Sequence, residues 1–323
     1  LDPIALAARD LTTQEVETVL RRENIESVLI DLLGEKKSAA DEFPQSNFDW
    51  IFGITPLLSP LRSIEKGLTN LDQVIQDIDQ EISKAIKENC VGFKSLMGYY
   101  RTIQVDKPNY KDANKSFKNL SEASHNQEIS SFLYGKRPIY QKTELRNDLK
   151  CFEDYIFRHL IKKAGKDNLL FLIHTGAQYS PNQNLAYSDP SLLFSLLHDP
   201  DTIDTKIIML HAGAPFQEKA AYITWQFPNV YVDLSHTMRI PGRLDEILKT
   251  FISISPANKI LYGSDTFGLA EWMGFSAYQI RRSLSRVLPN LSDIYEWNEE
   301  EILQVAKMIL SENSRKLIQN TKT

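Results

Sequence analysis

The sequence predicts an α/β fold, a parallel (β/α)8 barrel, and three observations carry that expectation. Four apolar runs recur in the second half of the chain: Leu169 to Ile173 before His174, Ile207 to Leu210 before His211, Val230 to Val232 before Asp233, and Ile260 to Tyr262 before Gly263-Ser264-Asp265. Continuous runs of this kind suit strands buried on both faces of a parallel sheet. Helical stretches near 190–198, 216–226, 241–254 and 273–287 follow these runs in turn, and right-handed crossovers make closure into a barrel natural. Finally, 323 residues with 42% hydrophobic content are enough for one large core, as in a barrel with insertions.

The first half is read in the same way. An amphipathic helix is expected from about Thr12 to Glu23, with Thr12 or Thr13 as N-cap and Glu15 in the first turn. Strands follow at 27–32, at 49–54 (closed by Thr55-Pro56) and, after a helix over 71–89, at 91–96. A polar stretch from about 98 to 141 holds Tyr99, Tyr100, Tyr110, Tyr134 and Tyr140. It is too long for an ordinary connection and reads as a lid or substrate-facing subdomain, or equally as a solvent-exposed excursion. A helix over 142–164 leads back to the strand before His174, and two helices near 298–310 and 312–319 close the chain. Seven strands result, and residues 1–323 read as one barrel domain. The eighth strand should come first, yet residues 1–11 do not resemble a buried strand. The opening Leu1-Asp2-Pro3 has neither initiator Met nor signal-peptide pattern, which reads as a chain recorded without its beginning. By that count the insertion follows the barrel's fourth strand.

Composition narrows the function. A net charge of −5 and no basic stripe argue against nucleic acid as a partner. No apolar stretch approaches the roughly 20 residues that span a bilayer, so no membrane partner is expected. Two cysteines, Cys90 and Cys151, form neither a CxxC pair nor a disulfide framework, which fits a reducing, cytoplasmic setting. The expected partner is a small-molecule substrate; a homo-oligomer is compatible with the sequence.

His174 ends the most apolar run and is followed by Thr-Gly, and His211 repeats the pattern one βα unit later with Ala-Gly. A lone His at a strand end is usually structural. Two in register at the C-terminal ends of adjacent barrel strands can share a ligand or metal. Asp265 can be a helix N-cap or a carboxylate that binds metal and takes the proton of an attacking water. Lys94, late in a buried strand, can bind an anionic substrate group, bridge two metals if carbamylated, or extend to solvent. Arg101 is a candidate for pairing with a substrate carboxylate. Asp31 and Asp233, in or near strand ends, and Glu271, after Asp265 on the same loop, read as helix caps or as partners behind the ligands before they read as ligands; Glu271 is also a candidate substrate contact. His125, His159 and His198 have no comparable placement; His236, directly after a strand, can reach the mouth.

In this order and spacing the pattern resembles the amidohydrolase superfamily, in the branch of metal-dependent hydrolases related to the amidohydrolase-like domain of the nodulin/FluG glutamine-synthetase-fusion group. The residues carrying the resemblance are Val91-Gly92-Phe93-Lys94-Ser95, His174-Thr175-Gly176, Asn184 to Pro190, Leu210-His211-Ala212-Gly213, Asn229 to Ser235 and Tyr262-Gly263-Ser264-Asp265. It is strongest over 168–290. The resemblance implies a distorted TIM barrel with one or two divalent ions, zinc before others. It implies His174 as fifth-strand metal ligand, and His211 as sixth-strand His that binds metal or polarises the substrate carbonyl. Asp265 would be eighth-strand ligand and general base, and Lys94 would sit where some branches carry a bridging carbamylated lysine. The family's first-strand His-x-His pair is nowhere in this sequence, so metal loading is open.

The leading expectation is hydrolysis of a C–N amide-type bond in a small polar, carboxylate-bearing substrate by metal-activated water. The alternatives are nonoxidative metal-dependent decarboxylation, and a noncatalytic barrel that binds a metabolite or scaffolds a partner.

Overall fold

The computed structural model describes residues 13–32, 48–124, 143–181, 183–267 and 269–322. Seven strands form one sheet in chain order: β1 (Val28–Asp31), β2 (Phe48–Gly53), β3 (Cys90–Ser95), β4 (Leu170–Ile173), β5 (Lys206–Met209), β6 (Val230–Asp233) and β7 (Ile260–Leu261). Every neighbouring pair is parallel. This is the α/β barrel architecture expected, with each apolar run realised as a strand. Residues 1–12, where an eighth strand was sought, lie outside the described residues.

Register decides which side chains face inward. Asp31 stands opposite Ile51, Ile51 opposite Gly92, Lys94 opposite Leu172, Leu172 opposite Ile208, Ile208 opposite Tyr231 and Asp233 opposite Leu261. Ile51, Leu170, Leu172, Ile208, Leu210 and Leu261 pack together as the barrel interior. Strand side chains alternate with period 2, so Asp31 and Lys94 share that inner face one step above the apolar layer, as Asp233 does. The alternate residues, among them Phe93, Phe171, Ile173, Ile207 and Met209, join the larger core between sheet and helices.

The outer helices bury the expected stripes. The helix Leu71–Lys87 starts at Asn70, whose side chain accepts from the Gln73 amide, and buries Leu71, Val74, Ile78, Ile82 and Ala85, the spacing of one helical face. The helix Asn313–Thr321 sends Leu317 into the interior cluster, while Asn168 donates to the Asn320 carbonyl and Lys322 pairs with Asp49 at the start of β2. That helix covers the N-terminal end of the barrel. The C-terminal ends of the strands form the opposite end, the mouth.

The described part of the 98–141 insertion contains a helix, Tyr110–Ser124, that the polar sequence did not announce. Its Ala113, Phe117 and Leu120 are buried, and Phe117 stacks on Phe152 of the helix Thr143–Lys166 with ring centroids 5.2 Å apart. This portion therefore belongs to the outer helical layer; the rest of the expected lid, with Tyr134, Tyr140 and His125, lies outside the described residues. The helix expected over 273–287 runs from Ala270 to Tyr295 and contains Pro289. Among the described residues no helix is long and apolar enough to cross a membrane.

Candidate active site at the barrel mouth

The loops after β4 and β5 are built against each other, which brings two histidines together. Thr175 Oγ1 donates to the Leu210 carbonyl at 2.6 Å, and the Ala177 amide donates to the Ala214 carbonyl at 2.7 Å. The backbones meet at Gly176, whose φ is +60° and where a Cβ would stand 2.2 Å from the Ala214 oxygen. Only glycine combines that conformation with that contact. The prediction that follows is a loss of about 2–4 kcal/mol in Gly176→Ala, from left-handed strain and overpacking together, read from the midpoint of urea unfolding. The segment 184–190 supports the same turn: Ser188 Oγ donates to the Gly176 carbonyl at 2.6 Å, and Gln178 Nε2 donates to the Gly98 carbonyl at 2.9 Å.

His174 is fully buried, its ring 4.0 Å from that of Tyr99 and 4.9 Å from that of His211. Neither of its ring nitrogens has a hydrogen-bond partner among the described residues; the nearby Ala177 amide is committed to Ala214. Burial, followed by the Lys94 ammonium, lowers its pKa to about 4. His211 is held well below its usual value by burial, by His174 and by Lys94. Both imidazoles are therefore neutral at pH 7, the form that ligates metals.

His211 has φ +65° and its neighbour Ala212 +55°, while His236 and Asp265 also lie in the left-handed region at +66° and +52°. Left-handed non-glycine residues concentrate at functional sites, and here four fall at the ends of β5, β6 and β7. Behind His211, Asp233 Oδ1 accepts from the His211 amide, the Ser235 amide and the Ser235 hydroxyl, and Ser235 Oγ lies 2.8 Å from His211 Nδ1. Burial pushes the Asp233 carboxyl up to about 6.

Asp265 lies in a different set of contacts. Tyr179 donates its hydroxyl to Asp265 Oδ2 at 2.6 Å and sits 3.0 Å from His236 Nδ1. Arg239 Nη2 donates to the Asp265 carbonyl at 2.9 Å, and its guanidinium lies 4.5 Å from the centre of the Trp272 ring. Tyr99, Tyr179 and Arg239 were missed in the sequence because they come from loops with no periodic signal.

Three of the expected site residues have other contacts within the fold. Arg101 donates to Glu153, at 3.0 Å, to Asp154, and to the Thr102 and Gln104 carbonyls. Lys94 pairs with Asp31 of β1 at 2.5 Å. Glu271 is exposed in the first turn of the helix Ala270–Tyr295, a position that complements the helix dipole. His174, His211 and Asp265 share the mouth, but among the described residues no three His, Cys, Asp or Glu side chains converge as a metal-binding group. The physical reason is that Asp265 is turned to Tyr179 and Arg239.

The donor chemistry fits a divalent ion in part. Two buried neutral imidazoles lie side by side, one with both nitrogens unpartnered, and an unpartnered buried polar atom costs about 1–3 kcal/mol that a bound ion would relieve. Asp265 could join them on release from Tyr179.

The comparisons with known proteins agree with this class of barrel. Residues 137–318 match the family model for amidohydrolases, more than half of the chain, and the chain belongs to that family. It is 25% identical over 244 residues to the protein fluG of Emericella nidulans, an alignment covering 73% of this chain and 26% of that protein. The chain thus spans about a quarter of the length of that curated relative. Among solved structures it is similar to one described as a metal-dependent hydrolase from Lactobacillus casei (TM-score 0.77, 18% identity, 95% of this chain and 76% of that one). It is also similar to uronate isomerase from Thermotoga maritima (TM-score 0.68, 13% identity, 94% and 69%). At these identities the likeness is one of fold.

Proposed function

We propose that the chain is a metal-dependent hydrolase that cleaves a C–N amide-type bond in a small polar, carboxylate-bearing substrate. The observation that carries this reading is the buried, unpartnered His174 beside neutral His211 at the ends of adjacent parallel strands, within a chain of the amidohydrolase family. His174 and His211 would hold the ion, with Asp265 as third donor or as base; zinc is the first candidate by ligand type. A divalent ion supplies Lewis acidity there, polarising a carbonyl and acidifying a water. Asp265 Oδ2 takes the proton, and Tyr179, already bonded to that oxygen, orients the carboxylate. Arg239, stacked on Trp272 at the mouth, replaces Arg101 as the group that grips the substrate carboxylate.

A second reading, a barrel that binds a metabolite without catalysis, draws on the lack of three converging donors among the described residues. Incubating the full chain with zinc or manganese and a panel of N-acyl amino acids and aromatic carboxylic acids separates the readings. Release of amine or ammonia is expected; carbon dioxide release instead would indicate decarboxylation, and no turnover with no ion bound would leave the noncatalytic barrel.

A further inference from the structure

The end of β6 places Asp233 and Ser235 in a line behind the His211 ring, the three residues being 8%, 4% and 2% exposed. Their hydrogen bonds have only one consistent direction. Asp233 Oδ1 takes the backbone N–H groups of His211 and Ser235, both at 3.1 Å. Those groups can only donate, so that oxygen is an acceptor whatever the state of the carboxyl. The Ser235 hydroxyl also points at it and must give it its single proton. Ser235 Oγ, having no second proton, can only accept from His211 Nδ1, 2.8 Å away. Nδ1 therefore carries the imidazole proton, and Nε2 carries the lone pair.

We infer that Ser235 is a positioning residue: held by Asp233, its hydroxyl fixes His211 in the Nδ1-protonated tautomer and leaves Nε2 as the ligating atom. Gly263 forms the wall behind this line, since a Cβ there would stand 2.2 Å from Asp233 Oδ2 and 3.2 Å from Ser235 Cβ. A side chain at position 263 would push Asp233 out of this arrangement. Among the described residues Ser235 Oγ is the hydrogen-bond partner of Nδ1, whereas His174 has no such partner there. The consequence for ion binding rests on the functional reading above; the tautomer does not.

The test is a long-range 1H–15N correlation spectrum of the full chain labelled with 15N-histidine, without added metal, with His211 assigned from the spectrum of His211→Gln. The expected result is a protonated, pyrrole-type Nδ1 and an unprotonated, pyridine-type Nε2 for His211. In Ser235→Ala, checked for folding by circular dichroism, the Nδ1-protonated population should fall. Zinc affinity, measured by calorimetry on the same protein, should weaken by about 10–100-fold, the usual effect of losing a partner behind a metal-bound histidine. An Nε2-protonated His211 in the wild type overturns the inference even if Ser235→Ala does not fold, and so does an unchanged tautomer in a folded Ser235→Ala. The expected tautomer in a wild type that binds no zinc supports the inference and counts against the functional reading alone.

Discussion

His174→Ala is expected to lower hydrolytic turnover by about 10³-fold or more, because removing one imidazole from an ion site forfeits several kcal/mol of transition-state stabilisation. Ion binding should fall with it, measured by calorimetry with zinc on wild type and variant side by side. Stability should move little, within about 2 kcal/mol. The variant loses the contact with the Tyr99 ring, 4.0 Å away, but it also removes two buried nitrogens that have no partner, each a cost to the folded state. A purely structural histidine behaves in the opposite way: its removal destabilises the protein and leaves turnover per folded molecule unchanged. Unfolding midpoint and turnover measured on the same preparation distinguish the two.

Arg101→Met is expected to cost about 3–5 kcal/mol of stability without touching the mouth chemistry, since breaking a buried ion pair leaves its partners uncompensated. Arg101 is 11% exposed at its side chain, and Glu153 and Asp154 are 5% and 1%. Two carboxylates would lose their shared guanidinium, although Lys150 would still reach Asp154 at 2.5 Å. The loss should depend on pH, with a sign set by Glu153. Burial raises that carboxyl from 4.5 to about 7, and Arg101 opposes the rise. The folded state therefore holds a proton on Glu153 over a window in which the unfolded chain has released it, and stability falls as pH climbs from about 4.5 to about 7. Without Arg101 the folded pKa rises further and the window extends upward. The deficit of the variant should be smallest near pH 4.5 and largest above pH 7, read from urea unfolding at pH 5 and pH 8. Equal deficits at both would contradict this account of the Glu153 environment.

The strands of the second half were legible because each is a short apolar run, mostly buried on both faces, and a parallel sheet is the environment that tolerates such runs. His174 and His211 were legible for a related reason: a polar residue ending such a run, followed by a glycine within two positions, marks the barrel mouth. Gly176 shows why the glycine was there, since the two loops touch backbone to backbone at that point. The helix Tyr110–Ser124 was hidden because only Ala113, Phe117 and Leu120 give it an apolar face, too thin a stripe among polar neighbours. The partners of Arg101 were not legible because they lie 52 and 53 residues away, a separation that carries no local signal. The pairing of Lys94 with Asp31 depends on the register of β1, β2 and β3, which exists only once the sheet is assembled. The contacts of Asp265 were not legible: Tyr179, His236 and Arg239 reach it from separate loops.

The central claim is that the neutral imidazoles at the ends of β4 and β5 are the ion-binding core of the mouth. The most direct measurement is a crystal structure of the full chain soaked in zinc, with diffraction recorded at the zinc absorption edge. An anomalous peak is expected at about 2.0–2.1 Å from a ring nitrogen of His174 and from Nε2 of His211, the usual zinc–imidazole distance. A mouth without a peak in a crystal that takes up zinc elsewhere, or a zinc ion bound through Nδ1 of His211, would contradict it.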